Sequence, residues 1–92
     1  MTGIAVVGTG YWGKNHVRNY RHLLKEGNID FLIICDKNEI RAKEIAEINE
    51  LPYSTNIEDI ANNDKVDAVV ISTPSSSHYK ISKFFLEHKK HV

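Results

Sequence analysis

Three glycines, Gly8, Gly10 and Gly13, stand at the spacing G-x-G-x-x-G directly after an apolar run, within "VVGTGYWGKN". This spacing suits a loop that cradles phosphate. Gly8 allows a tight turn, Gly10 lets the backbone approach a pyrophosphate, and Gly13 lets the next helix pack closely on the strand. A helix starting here turns unpaired N–H groups and the positive end of its dipole toward the anion. Asp36 ends the next apolar run, 23 residues after Gly13, where a carboxylate reaches the hydroxyls of an adenine ribose. Such a carboxylate repels a 2′-phosphate and so favours NAD over NADP. Lys37 and Arg41 lie close by and either can reach a 2′-phosphate, which keeps NADP open. The plain alternatives are a sharp strand-to-helix turn with no ligand for the glycines, and a helix cap or strand end for Asp36.

A second candidate loop is "ISTPSSSHY" (71–79). Ser72, Thr73 and Ser75 offer hydroxyls and Pro74 fixes the turn. Either this loop faces a cofactor, or Ser75 or Ser76 simply caps the helix that follows. His78 falls in the first helical turn, facing a nicotinamide or only packing. Tyr11 and Trp12 sit between the second and third glycines, one lining the cleft and the other covering the helix start. Cys35 reads as a buried strand residue rather than a nucleophile. His16, His22, His88 and His91 form no cluster with ligand spacing, so no metal site is expected. No residue of the chain reads as catalytic.

The elements that must position these residues alternate along the chain. "GIAVVG" (3–8), "DFLIIC" (30–35) and "VDAVVIST" (66–73) are short β-branched runs, expected as strands buried on both faces. Pro52 and Tyr53 allow a short third strand between the last two. Helical spacing runs from Gly13 to Glu26, with Val17, Tyr20 and Leu24 on the face of Gly13, and Gly27 stands where a helix stops. A charged helix follows at 38–49, with Asn38 as its cap and Ile40, Ile45 and Ile48 expected on one side. Further helices are expected at 56–62 and 75–90. Strands alternating with helices imply α/β architecture, a Rossmann-like doubly wound parallel sheet of order 3-2-1-4. A fifth strand is expected to begin near "HV", so the sheet reads as incomplete.

With 92 residues the chain is one small domain, expected to bury only roughly 60–65% of its unfolded surface. Its 12 basic residues balance 12 acidic ones, which favours neither nucleic acid nor an anionic membrane. No apolar run approaches the roughly 20 residues of a membrane span. The lone cysteine excludes an internal disulfide, and the N-terminus lacks the marks of a signal peptide, so the expectation is a cytoplasmic protein.

Together, "GTGYWGKNHVRNY", the acid of "ICD", "VDAVVISTPSSSHY" and "HKKHV" resemble the N-terminal domain of the glucose–fructose oxidoreductase and inositol dehydrogenase (Gfo/Idh/MocA) family. The resemblance spans nearly the whole chain in order. It implies an NAD(P)-dependent oxidoreductase that moves hydride between nicotinamide and a sugar, polyol or sugar-nucleotide hydroxyl. It implies pyrophosphate contacts around Gly8, Thr9, Gly10, Tyr11 and Trp12, ribose binding by Asp36, and nicotinamide-side contacts from Thr73, Pro74 and His78. "GYWGKNHVRN" is similar to members of sugar-nucleotide pathways such as UDP-N-acetylglucosamine 3-dehydrogenases. Two positions depart from the family pattern: Ser75 replaces the usual Asn, and Lys89 the usual Gly. If that last position is left-handed, Lys costs about 1 kcal/mol relative to Gly. The resemblance also implies a following Glu-Lys-Pro motif with a catalytic lysine, and a C-terminal domain that binds the sugar-like substrate and makes a homo-oligomer. None of these lies within residues 1–92, so this chain is expected to be inactive alone. The rival reading is a free-standing NAD(H)-binding or redox-sensing module.

Overall fold

The computed structural model describes residues 2–73 and 75–92, and of residues 11, 12, 75 and 76 the backbone alone. The elements run β1 (Gly3–Val7), α1 (Tyr11–Lys25), β2 (Phe31–Cys35), α2 (Glu39–Asn49), β3 (Tyr53–Ser54), α3 (Ile57–Ala61), β4 (Ala68–Ile71) and α4 (Ser75–Glu87). The four strands form one parallel sheet in the order β3-β2-β1-β4, as the alternation implied. β1 lies at its centre and is buried along its whole length, which is why its sequence is apolar without alternation.

Side chains alternate across the sheet and feed two cores. On one face Ile4, Val6, Leu32 and Ile34 pack with Val17 of α1 and with Ile45 and Ala46 of α2. On the other, Ala5, Val7, Ile33, Cys35 and Val69 pack with Ile60 of α3 and with Ile81 and Phe85 of α4. The sheet is therefore doubly wound. Tyr20 and Leu24 join Val17 on the first face, as their spacing required.

The expected face of α2 needs correction. Ile45 is buried, but Ile40 and Ile48 are 81% and 69% exposed, and the helix meets the protein through Ala42, Ile45 and Ala46. At 100° per residue, positions 42, 45, 46 and 49 form one stripe, and Ile40 lies opposite it. Small alanines bring the helix close to the sheet where the larger isoleucines would hold it away.

Helix boundaries also differ from expectation. α1 begins at Tyr11, so Gly13 lies within its first turn, and α4 ends at Glu87 rather than residue 90. Three helices close with the same paired bonds, N–H of the sixth residue to the first carbonyl and of the fifth to the second. In α1 these are Asn28 N to Leu23 O and Gly27 N to Leu24 O. In α2 they are Leu51 N to Ala46 O and Glu50 N to Glu47 O, and after α4 Lys90 N to Phe85 O and Lys89 N to Leu86 O. The turn residue is left-handed each time, with φ 82° at Gly27, 56° at Glu50 and 64° at Lys89. The Lys89 expectation thus meets its condition. Beyond it, His91 makes a parallel bridge to Ala68 on the outer edge of β4, where a fifth strand was expected to begin.

Candidate functional site

In a parallel sheet every strand ends at the same edge, and the loops after the strands gather there. Backbone bonds tie these ends together. The Gly8 amide donates to Cys35 O at 2.8 Å, Ser72 N to Val7 O at 2.8 Å, and Asp36 N to Ser54 O at 3.1 Å. The result is a cleft of about 880 Å³ lined by Gly8, Thr9 and Gly10 after β1, by Asp36, Lys37 and Arg41 after β2, and by Ser72 and Thr73 after β4. Eight of the sequence candidates thus share one site.

The three glycines do different things. Gly8 has φ 96°, and a Cβ there would sit 2.8 Å from Ser72 O. A Cβ on Gly13 would overlap the Gly8 carbonyl. Both are required by the fold. Gly10 is not: its φ is −68°, open to any residue, and a Cβ there would meet nothing within 4 Å. Among the described residues no packing contact requires a glycine there; glycine suits a helix N-cap and leaves the space above the loop open.

Gly10 also starts α1, whose first internal bond runs from Lys14 N to Gly10 O at 2.9 Å. The amides of residues 11 to 13 precede that bond and have no acceptor inside the helix. The neighbouring helices manage their starts differently. Asn38 and Asn56 cap α2 and α3 through their side chains, and both helices carry acids in the first turn. α1 has no side-chain cap and no acid there, which leaves its positive end directed at the cleft.

Asp36 is 8% exposed. Its Oδ2 accepts from the Thr9 amide at 2.9 Å and the Thr9 hydroxyl at 2.6 Å. Arg41 donates to the same oxygen from Nε at 3.2 Å, with a terminal guanidinium nitrogen at 3.1 Å. Oδ1 accepts from Asn38 N at 2.9 Å. Burial pushes this carboxyl up, but the Thr9 and Asn38 bonds and the Arg41 charge outweigh it, and the group is held below the usual carboxylate range. Asp36 therefore also clamps the glycine loop to the end of β2. Behind it, burial, with the charges of Asp36 and Asp59, pushes the Cys35 thiol up to about 12, which suits a packed residue and not a nucleophile.

Across the cleft, the Thr73 hydroxyl oxygen is buried and has no hydrogen-bond partner among the described residues. Buried hydroxyls are seldom left so, and this one borders the cleft beside Ser72. A bound group with polar atoms would satisfy it. The open Gly10, the uncapped helix start and the unpaired Thr73 hydroxyl fit a diphosphate-containing ligand, and Asp36 at the far end fits a sugar diol.

The remaining candidates are placed as follows. His78 is exposed, its ring 3.5 Å from Ser82 Oγ, and among the described residues of α4 it is Ser77 and Ile81 that line the cleft. Pro74 and the side chains of Tyr11, Trp12, Ser75 and Ser76 lie outside the described residues. Sequence reasoning missed Thr55, Asn56 and Ile57, which close the cleft beside Asp36. Their signal was topological: the loop after β3 opens on the same edge as the others.

Comparisons with known proteins identify the family. The family described as "Oxidoreductase family, NAD-binding Rossmann fold" matches residues 2–92. An uncharacterized oxidoreductase of Synechocystis sp. is 31% identical over 90 residues, covering 97% of this chain and 24% of that protein. Among solved structures, UDP-N-acetylglucosamine 3-dehydrogenase GnnA from Acidithiobacillus ferrooxidans is 25% identical with a TM-score of 0.83, over 97% of this chain and 27% of that one. GenD2 from gentamicin A biosynthesis, in complex with NAD, has a TM-score of 0.83 at 24% identity over 97% of this chain and 25% of its own, a likeness of fold. The chain spans about a quarter of the length of the curated relatives it matches.

Proposed function

This chain belongs to the oxidoreductase family with an NAD-binding Rossmann fold, and we propose that it holds NAD(H) across the cleft for hydride exchange with a hydroxyl-bearing carbon of a sugar-like substrate. When bound, the nicotinamide supplies the hydride acceptor or donor. What the residues of this chain do is bind and orient. The amides that begin α1 receive the pyrophosphate over Gly10, and Gly8 and Thr9 shape that loop. Asp36 takes the adenine ribose, with Lys37 and Arg41 on its rim. Thr73 and Ser72 receive polar atoms on the nicotinamide side, and Tyr11, Trp12 and Pro74 are assigned to the same site by their sequence positions, whereas His78, exposed and off the cleft lining, is left out of it. The observation that carries this reading is the start of α1: an uncapped helix, without first-turn acids, on a glycine that the fold does not require.

The substrate class follows the relatives, one of which is a sugar-nucleotide dehydrogenase. Because those proteins are about four times longer, we assign the substrate pocket and the acid–base group to residues other than these. Residues 1–92 then bind cofactor without turning over substrate. The presence of Asp36 favours NAD, and Lys37 and Arg41 leave NADP as a second ligand.

Calorimetric titration of residues 1–92 with NADH and with NADPH tests the reading. Saturable binding of NADH, weaker for NADPH, is the expected result. A folded chain that binds neither overturns it.

A further inference from the structure

The charge on α1 has one sign. Its 15 residues hold Lys14, Arg18, Arg21 and Lys25 and no acid, although the chain as a whole balances 12 basic against 12 acidic residues. The four follow the spacing i, i+4, i+7 and i+11, so they share a face. Lys14 with Arg18, and Arg21 with Lys25, are like-charge pairs four apart, which weaken a helix rather than support it. A face that is merely solvated interleaves both signs, yet among the described residues no carboxylate pairs with any of the four. Arg18, Arg21 and Lys25 meet Asn49, at the end of α2, around a groove of about 640 Å³ that His22 also lines and no acid does. Arg21 is held there. Its Nε donates to Asn49 O at 2.7 Å, one of the carbonyls that a helix end leaves open. That bond uses one of five N–H groups and leaves four on the two terminal nitrogens. Two helix C-termini lie beside the groove, each worth about half a negative charge, and Glu26 adds one more, so three permanent cations exceed the opposing charge by about one. Glu26 itself is bonded to His22 at 2.8 Å and not to the cations.

We propose that this groove is a second anion site, separate from the cofactor cleft, that takes a small phosphate-bearing ligand of two or more negative charges. Arg21 supplies a positioned guanidinium, the group that receives phosphate oxygens in pairs. Arg18 and Lys25 stand about one turn to either side of it, and their exposed side chains add charge without a fixed geometry. Arg18 gives up only a 3.2 Å bond to Asn15 Oδ1 in doing so. A bound phosphate neutralises the repulsion along the helix, so the arrangement that costs stability by itself becomes favourable in the complex. The groove lies about 20 Å along α1 from Gly10, and it shares no lining residue with the cofactor cleft. The inference therefore does not depend on the cofactor reading.

The test is a nuclear magnetic resonance titration of residues 1–92 with inorganic pyrophosphate and, separately, with glucose 1-phosphate, following backbone amides and arginine Nε–H signals. Saturable shifts from Arg18 to Lys25, at Asn49 and at Arg21 Nε–H are the expected result. The probe that binds more tightly tells whether the groove favours free phosphate or a phosphate ester. In the Arg18→Gln, Lys25→Gln double variant both altered side chains are exposed, and groove binding is expected to weaken about tenfold. Arg21→Lys keeps the charge and loses the fork, and is expected to weaken it about threefold. Shifts confined to residues 8–13 place the anion at the glycine loop alone and overturn the proposal. So do shifts at 18–25 that sodium chloride of equal ionic strength reproduces, or that persist at the same probe concentration in the double variant. Should the double variant fail to fold, Arg18→Gln alone carries the test: about threefold weaker binding is expected, and unchanged binding overturns the proposal.

Discussion

At the scale of single residues, the glycine motif separates into structure and binding. Gly13→Ala drives a methyl group into the Gly8 carbonyl, and the resulting overpacking is expected to cost about 2 kcal/mol. Gly10→Ala adds a methyl group in open space at an ordinary φ. Its melting temperature should stay close to the wild type while NADH binding falls at least about tenfold, if the methyl group stands where the proposed pyrophosphate approaches. Thermal melts beside titrations read both; equal loss of stability in the two variants would refute the division. Asp36 combines the roles. Its carboxyl is held low in the folded chain, so the stability it contributes is present above the unfolded value near 4 and is lost as pH falls through the lower folded value. Asp36→Asn should cost about 2 kcal/mol at neutral pH by weakening the bonds to Thr9 and Arg41, and should flatten the acid limb of the stability curve. An unchanged acid limb, measured by denaturant titration from pH 2 to 7, would show that the clamp contributes nothing. The sequence marked Asp36 as a binding residue through its position. Its clamp on Thr9 was not legible, because that bond spans 27 positions and exists only once β1 and β2 are paired.

At the scale of elements, the helix ends hold reserves of stability. The closing turns after α1, α2 and α4 share one hydrogen-bond pattern, yet only the first has glycine in the left-handed position; Glu50 and Lys89 occupy the others. Replacing either by glycine relieves steric strain of about 1 kcal/mol, so Lys89→Gly and Glu50→Gly should each raise the melting temperature by about 4 to 8 °C. Amide exchange at Lys90 should slow in Lys89→Gly. Unchanged exchange and melting would mean that the Lys90 ammonium, which is bonded to Asn63 O and Val66 O, already fixes this turn. The order and parallel pairing of the strands were legible because buried strands of a parallel sheet advertise themselves as continuous apolar runs. The face of α2 was not, since its large apolar residues are spread around the helix and two small alanines make the contact. The five-residue α3 and two-residue β3 are too short to show a period, so the loop that bounds the cleft beside Asp36 passed unread as part of the site.

At the scale of the molecule, the site is a place where separate loops meet. The cleft draws residues from the segments after β1, β2, β3 and β4, together with the first turns of α4. A ligand lying across it contacts segments that are distant in sequence and close only when the sheet is formed. It therefore binds the folded chain and not the unfolded one, which adds its binding free energy to a small domain with a narrow margin. NADH at a hundred times its dissociation constant should add about 2.7 kcal/mol and raise the melting temperature by about 10 to 20 °C. The Gly10→Ala chain, with a methyl group in the proposed pyrophosphate position, should show little of that rise at the same concentration. A wild-type chain that melts cooperatively and gains nothing from NADH would make the loop a turn between strand and helix, and would separate this domain's fold from the binding function of its family.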